Sequence, residues 1–201
     1  MTQWLEKRKG DVFYQKAKAE NYRARSAYKL IEIQEKFHII KKGNSVIDLG
    51  AAPGSWSQVA LEFTGVGGKV VAIDLLPLAP ISGNFVFIHG DFTKESTIEK
   101  IKNEIGEANV VISDAAPEFS GIRAMDYGIA IDLNFAALDL AKQVLMANGN
   151  FVCKSFQSAE FPKFLKEAKK NFSRVETFKP VSSLKNSPEL YVIGLKFKKE
   201  I

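Results

Sequence analysis

The chain has 201 residues, 46% of them hydrophobic, with a formal net charge of +5, one cysteine and two histidines. A chain of this length buries roughly 70% of the surface it would expose unfolded, so one domain with an adequate core is expected without covalent staples. The single Cys153 excludes an intrachain disulfide, no Cys or His cluster points to a metal, and no apolar run approaches the ~20 residues that span a bilayer.

The first residues, Met1 to Lys9, carry no apolar stretch of signal-peptide length, so a reducing cytoplasm is the expected setting. Residues 1–42 hold 11 Lys and Arg against 5 Asp and Glu, whereas the rest of the chain holds 17 against 18. All the excess positive charge therefore lies in an amino-terminal arm. There it is interleaved with Trp4, Phe13, Tyr14, Tyr22 and Tyr28, a pattern of charge and stacking that suits nucleic acid, the alternative being a solvated helical face. Apolar spacing predicts a helix over 11–36, broken by Lys41-Lys42-Gly43-Asn44.

A strand is expected at Ser45–Leu49, followed by a glycine turn and a helix carrying Trp56, Val59, Ala60 and Phe63. The turn, Gly50-Ala51-Ala52-Pro53-Gly54, is nearly all small residues and allows close approach of backbone to a ligand. It matches neither the G-x-G-x-x-G dinucleotide fingerprint nor the lysine-bearing phosphate loop. The second strand, Lys69–Asp74, ends in an acid suited to both hydroxyls of a ribose, and the third, Asn84–Ile88, leads to Asp91, suited to an adenine edge. Leu75–Pro80, interrupted by two prolines, is expected as a loop beside that adenine. A nucleoside ligand without phosphates fits this set, and S-adenosylmethionine is the commonest such cofactor.

Further on, a helix is expected over Thr93–Ile105, a fourth strand over Asn109–Ser113 running into Asp114, and a long helix from Asp126 to Met146 ended by Asn148-Gly149. A fifth strand, Asn150–Lys154, precedes a helix over Phe161–Phe172 and two closing strands, Arg174–Phe178 and Glu189–Lys198. This alternation predicts a Rossmann-like α/β fold, a mostly parallel seven-stranded sheet with an antiparallel addition at one edge and helices on both faces.

Lys154 is unusual at the end of a core strand, because a buried ammonium is costly unless paired. Its neutral amine would make a general base, although lowering a lysine from about 10.4 to about 7–8 takes ~4 kcal/mol of desolvation and nearby positive charge. Lys29 is a candidate for that second cation, and Asp114 and Glu189 for hydrogen bonds that orient the two amines. Taken alone, Lys154 reads equally well as a side chain snorkelling from a strand end.

Five segments carry a resemblance. They are Asp11-x-x-Tyr14-x-x-Ala17-Lys18 with Tyr22–Leu30; Asp48–Gln58; Ser113–Pro117 with Ser120-Gly121; Val152–Gln157; and Ser182-Ser183-x-x-x-Ser187–Tyr191. In this order the chain resembles the FtsJ/RrmJ family of ribosomal RNA 2′-O-ribose methyltransferases, a class I S-adenosylmethionine-dependent fold. The resemblance places the family's Lys-Asp-Lys-Glu tetrad on Lys29, Asp114, Lys154 and Glu189. It implies Lys154 as general base, Lys29 and Glu189 positioning the ribose, Asp114 orienting Lys154, and Gly54, Trp56, Asp74, Asp91 and Asp114 holding the cofactor. It further implies a uridine of large-subunit (23S) rRNA as target, presented in an assembled particle or its precursor, with no DNA or membrane partner and a monomeric enzyme. Some archaeal relatives carry an added RNA-binding domain; without one here, residues 1–42 are expected to supply most of the RNA grip, and 43–201 the catalytic domain. Two departures stand out. Ser55 replaces a usual glycine, a mild change for cofactor binding, and Pro188 replaces an arginine that would touch RNA or a neighbouring loop. A tRNA or an mRNA cap as substrate shares the same tetrad. A non-catalytic RNA-binding module would be expected to lack a tetrad member, and an NAD-dependent dehydrogenase would need the missing third glycine.

Overall fold

All seven anticipated strands form: β1 Ser45–Leu49, β2 Lys69–Asp74, β3 Phe85–His89, β4 Ala108–Ser113, β5 Leu145–Phe156, β6 Phe172–Phe178 and β7 Glu189–Phe197. Six helices accompany them among the described residues: α1 Val12–Ala19, α2 Ala27–Phe37, α3 Ser55–Thr64, α4 Glu95–Ile105, α5 Arg123–Val144 and α6 Phe161–Asn171. The structure is a computed structural model and describes residues 11–118, 120–184 and 186–199. The basic run at Trp4 to Lys9 lies outside the described residues.

The strands make one sheet in the order β3-β2-β1-β4-β5-β7-β6, parallel from β3 through β5. At the β6 edge, β7 runs antiparallel to both of its neighbours. Strand alternation sends side chains to two cores. Val46, Val70, Val110, Ile112, Val152, Tyr191 and Ile193 face α2 and α3, packing on Leu30, Ile33, Trp56 and Val59. The intervening Ile47, Leu49, Val71, Ile73, Val111, Phe151, Cys153 and Val192 form a second core with residues of α4, α5 and α6. Both faces of the sheet are thus covered, as its near-continuous apolar strands require.

The expected helix over 11–36 is two helices. Asn21 takes a left-handed conformation (φ 60°), and the Tyr22 amide closes back on the Ala17 carbonyl at 2.8 Å, a Schellman-type ending. Asparagine tolerates that backbone almost as glycine does, so apolar spacing alone did not reveal the stop. From residue 11 on the arm is therefore folded back, and three of its aromatics serve packing: Tyr28 is buried, its ring 5.5 Å from Phe13 and 5.8 Å from Tyr22. The Tyr28 and Tyr22 hydroxyls donate to Glu20 and Glu62, each at 2.7 Å. These two rings are therefore held against the domain, while Lys16 and Lys18 remain exposed.

Asn148-Gly149 does not end the long helix. Helix α5 stops at Val144, and the pair makes an irregularity inside β5, where the register with β4 shifts between Ala108 and Val110. A Cβ on Gly149 would come within 2.9–3.0 Å of Leu145, Asn109 and Met146, so the glycine reflects close approach of neighbouring backbone.

Candidate active site

β1 and β4 are adjacent, yet the chain leaves β1 for α3 on one face and β4 for α5 on the other. Such a reversal opens a crevice at the carboxyl ends of the strands. The two loops touch at its floor. Gly50 has φ +70°, and a Cβ there would lie 2.6 Å from the Ala115 Cα, so only glycine lets the loops after β1 and β4 meet. The Gly50 and Ala51 amides both donate to the Ile73 carbonyl, at 2.9 and 3.1 Å, tying the glycine turn to β2.

The crevice holds a cavity of about 370 Å³ whose walls include Gly50, Asp74, Asp91, Asp114, Ala115 and Lys154. Each Asp74 oxygen already accepts a loop amide, Ala52 at 2.8 Å and Leu76 at 2.7 Å, which fixes the carboxylate and leaves one lone pair per oxygen. Asp91 accepts the Thr93 amide and hydroxyl at 2.9 and 2.7 Å. Burial pushes Asp91 up, but the two Thr93 hydrogen bonds and Lys94 together bring it below the usual carboxylate value. Three carboxylates facing one lysine repel phosphate and suit a ligand rich in donors and positive charge, such as hydroxyls, an amine and a sulfonium. The residues therefore fit S-adenosylmethionine and oppose a dinucleotide.

Gly54 and Trp56 are not part of this wall. Gly54 has φ +106° and faces the Arg23 guanidinium, where its Cβ would come within 2.8 Å. Trp56 is buried, packs on Tyr191 with ring centres 5.6 Å apart and planes tilted by 34°, and donates its indole N–H to the Ser26 carbonyl at 2.9 Å. Ser55 is buried as well, its hydroxyl 2.8 Å from that of Ser26, so the departure from glycine is absorbed between α2 and α3.

The four charged residues of the motif segments come together at the rim of this crevice. Lys154 lies two residues past Val152, Asp114 two past Ile112, and Glu189 two before Tyr191; each continues the row of side chains that faces α2. In the β5–β7 pairing Lys154 sits opposite Tyr191 and Phe156 opposite Glu189. Helix α2, packed on that face, brings Lys29. Two ion pairs result. Lys154 Nζ lies 3.2 Å from an Asp114 carboxylate oxygen and also donates to the Asp114 main-chain oxygen, while Lys29 Nζ lies 2.5 Å from Glu189. Glu189 further accepts the Ser183 hydroxyl at 2.8 Å. The segment containing Ser183 is moored to α2, since Glu32 accepts the Val181 and Ser182 amides at 2.6 and 2.8 Å.

Tyr191 links the pairs and was not anticipated as a site residue. Its hydroxyl donates to Asp114 at 2.7 Å, and its ring centre is 5.8 Å from Lys29 Nζ. Burial, followed by the charges of Asp114 and Glu189, pushes the phenol well above its ordinary value, so it stays a donor. The clue was in the sequence: Tyr191 is two residues from Glu189 on a strand, hence on the same face.

Asp48 and Arg23 were also missed. Asp48 is fully buried under the glycine turn; one oxygen accepts the Ser57 hydroxyl at 2.6 Å and the other has no partner. Burial, with the charges of Asp114 and Asp74, pushes it up to about 7 despite the Ser57 hydrogen bond. Arg23 donates to the carbonyls of Pro53, Ala79 and Pro80 at 3.1, 2.7 and 2.6 Å, fastening the glycine turn and the proline loop to the arm. Cys153, behind Lys154, is pushed up to about 12 by burial and is an inert thiol.

A second cavity, of about 380 Å³, lies on the other side of Lys154 and is walled by Ala116, Tyr127, Phe156, Pro188 and Glu189 among others. Lys154 and Ala116 border both cavities.

Comparison with known proteins bears on the family and the fold. The family model for the FtsJ-like methyltransferase matches residues 22–197. A protein of Methanothrix thermoacetophila named ribosomal RNA large subunit methyltransferase E is 52% identical over 187 residues, covering 92% of this chain and 72% of that protein. The protein of the same name from Methanothermobacter thermautotrophicus is 48% identical over 197 residues, covering 97% and 93%. Among solved structures, a Plasmodium falciparum protein described as a ribosomal RNA methyltransferase superposes with a TM-score of 0.79 at 28% identity, covering 89% of this chain and all of that one.

Proposed function

The chain belongs to the FtsJ-like methyltransferase family, and from that premise we propose that it methylates the ribose 2′-hydroxyl of a uridine in large-subunit (23S) rRNA, with S-adenosylmethionine as methyl donor. The observation that carries this reading is the position of Lys154. Its amine stands in the wall between an acid-lined cleft fitted to a phosphate-free nucleoside and a second cavity open to a substrate.

Asp74, Asp91 and Asp114 hold the cofactor by accepting its donors. Bound there, S-adenosylmethionine supplies an electrophilic methyl on a positively charged sulfur. Lys154, once it has given up a proton of its ammonium, takes the proton of the ribose hydroxyl and so regains the charge that pairs with the Asp114 carboxylate, while another of its N–H groups stays on the main-chain oxygen of Asp114. Asp114 is itself fixed by Tyr191, which keeps the amine aimed. The Lys29–Glu189 pair orients the ribose from the far side. With a good leaving group in place, alignment supplies most of the acceleration. Residues 1–42 contribute positive charge for the RNA backbone, a grip that weakens as salt rises. The substrate is an assembled large subunit or its precursor in the cytoplasm, met by a monomeric enzyme.

The test is methyl transfer by the purified chain to large-subunit particles, free 23S rRNA and tRNA, with the modified ribose mapped. Lys154→Ala should lower turnover by about 10²–10⁴-fold while cofactor affinity stays near wild type. A variant that kept most of its rate would remove Lys154 as the base, and methyl mapped to tRNA alone would remove rRNA as the substrate.

A further inference from the structure

We propose that Asn134, buried in α5 beneath the end of β5, is a positioning residue that fixes the main chain at Lys154 and so aims its amine at the ribose hydroxyl. This rests on Lys154 acting as the base of the proposed reaction, and adds what holds that base in place.

Side chains alternate along β5, so Lys154 points to the α2 face with Val152, while Cys153 and Ser155 point to the face that α5 covers. Asn134 meets the strand there. Its Nδ2 donates to the Lys154 main-chain oxygen at 2.6 Å and lies 3.1 Å from the Cys153 sulfur, and its Oδ1 accepts the Ser155 hydroxyl at 2.7 Å. One amide thus grips three consecutive residues of β5. The Lys154 carbonyl can only accept, so a single orientation of the amide serves it.

The grip falls where the sheet opens. β4 ends at Ser113, opposite Cys153, and beyond that point β5 is paired with β7 on one side and borders the cofactor cleft on the other. Asp114 holds the tip of the Lys154 side chain, and Asn134 holds its root. A long side chain delivers its amine to one place when both ends are fixed, and a misplacement of about 1 Å at the reacting atoms can cost roughly 10²-fold in rate.

Packing alone does not call for asparagine here. Asn134 shares a face of α5 with Ile131, Leu138 and Ala141, all buried in the core under the sheet. An apolar side chain would fill the place without needing partners, whereas a buried amide is costly unless its polar atoms are met. They are met by the main chain of the base and by the residues on either side of it.

The experiment reads Lys154 by NMR and by rate in wild type, in Asn134→Leu and in Leu140→Ala, a control that opens a cavity in the same core further along α5. In spectra of the lysine Cε–Hε groups, with the Lys154 signal identified by its loss in Lys154→Ala, Asn134→Leu should shift or broaden Lys154 and leave Lys29 in place; Leu140→Ala should move neither. On the RNA that wild type methylates, Asn134→Leu should lower kcat about tenfold with KM and cofactor Kd held within about twofold, while Leu140→Ala keeps its kcat. An unmoved Lys154 signal in Asn134→Leu overturns the proposal. So does an equal fall of kcat in the two variants, which would make Asn134 a packing residue, and so does a retained kcat with a raised KM or Kd. Should Asn134→Leu fail to fold, Ser155→Ala removes one of the three holds and should lower kcat about threefold with a shifted Lys154 signal, either value unchanged overturning the proposal. Wild type that methylates no RNA strikes the ribose-methylating reading, while the Lys154 signal still decides whether Asn134 holds the amine.

Discussion

Replacing Asp48 by asparagine should change the stability of the protein with opposite emphasis on the two sides of neutral pH. The carboxyl is wholly buried, and its folded-state value lies near 7 against an ordinary 3.8. Between those values the folded chain keeps a proton that the unfolded chain has released. Stability therefore falls as pH rises through the window and levels off above it. At 1.36 kcal/mol per unit, the charged carboxylate costs the folded state about 4 kcal/mol at pH 8. Between pH 5 and pH 8 the cost grows by roughly 2–3 kcal/mol. Asparagine does not titrate, so Asp48→Asn escapes this growth. It carries a fixed penalty instead, about 1–3 kcal/mol, because the oxygen of Asp48 that has no partner marks a place where an amide N–H would find no acceptor. Urea unfolding of both proteins at pH 5 and pH 8 isolates the titrating part, since the fixed penalty and every contribution the two proteins share cancel in the difference of differences. The variant should gain roughly 2–3 kcal/mol on wild type across that range, or about 4–12 °C in midpoint for a chain of this size. An effect of Asp48→Asn that is the same at both pH values would refute the claim that this carboxyl is driven upward by burial beside Asp74 and Asp114.

Arg23→Ala removes three hydrogen bonds that fasten Pro53, Ala79 and Pro80. With the proline loop loosened, the cofactor Kd should rise about tenfold for a modest loss of ~1 kcal/mol in stability; an unchanged Kd by calorimetry would show that the guanidinium only holds the surface together. Glu189→Gln keeps an acceptor for the Ser183 hydroxyl but leaves Lys29 without its charge partner. The pair is mostly but not wholly buried, so the expected cost is about 2 kcal/mol, between the values for surface and buried pairs. Turnover should fall with little change in cofactor affinity, and equal loss of both would move Glu189 out of the substrate side.

Much of the architecture is written in local signals. Each short β-branched run, such as Val46-Ile47 or Val110-Val111-Ile112, becomes a strand because it is apolar enough to be buried on both faces. The acids Asp74, Asp91 and Asp114 follow strands whose parallel pairing places all their carboxyl ends on one side, so their meeting in a cleft follows from strand order. Errors fell where a short-range rule had a substitute: Asn21 stood in for glycine at a helix end, and Asn148-Gly149 served a strand irregularity instead of a helix stop.

The sequence by itself determined which residue types were on hand and which end of the sheet they would reach, because periodicity and turn chemistry act over a few residues. Asp114 was expected beside Lys154, but the sequence could not say that Lys29 would pair with Glu189, that Tyr191 would join them, or that Arg23 would serve the loops. Those outcomes depend on the antiparallel register of β7 against β5 and on the packing of α2 across the sheet, contacts between segments as much as 160 residues apart. Only the folded chain decides such distances, since a shift of one residue in that register would turn Tyr191 and Glu189 to the opposite face.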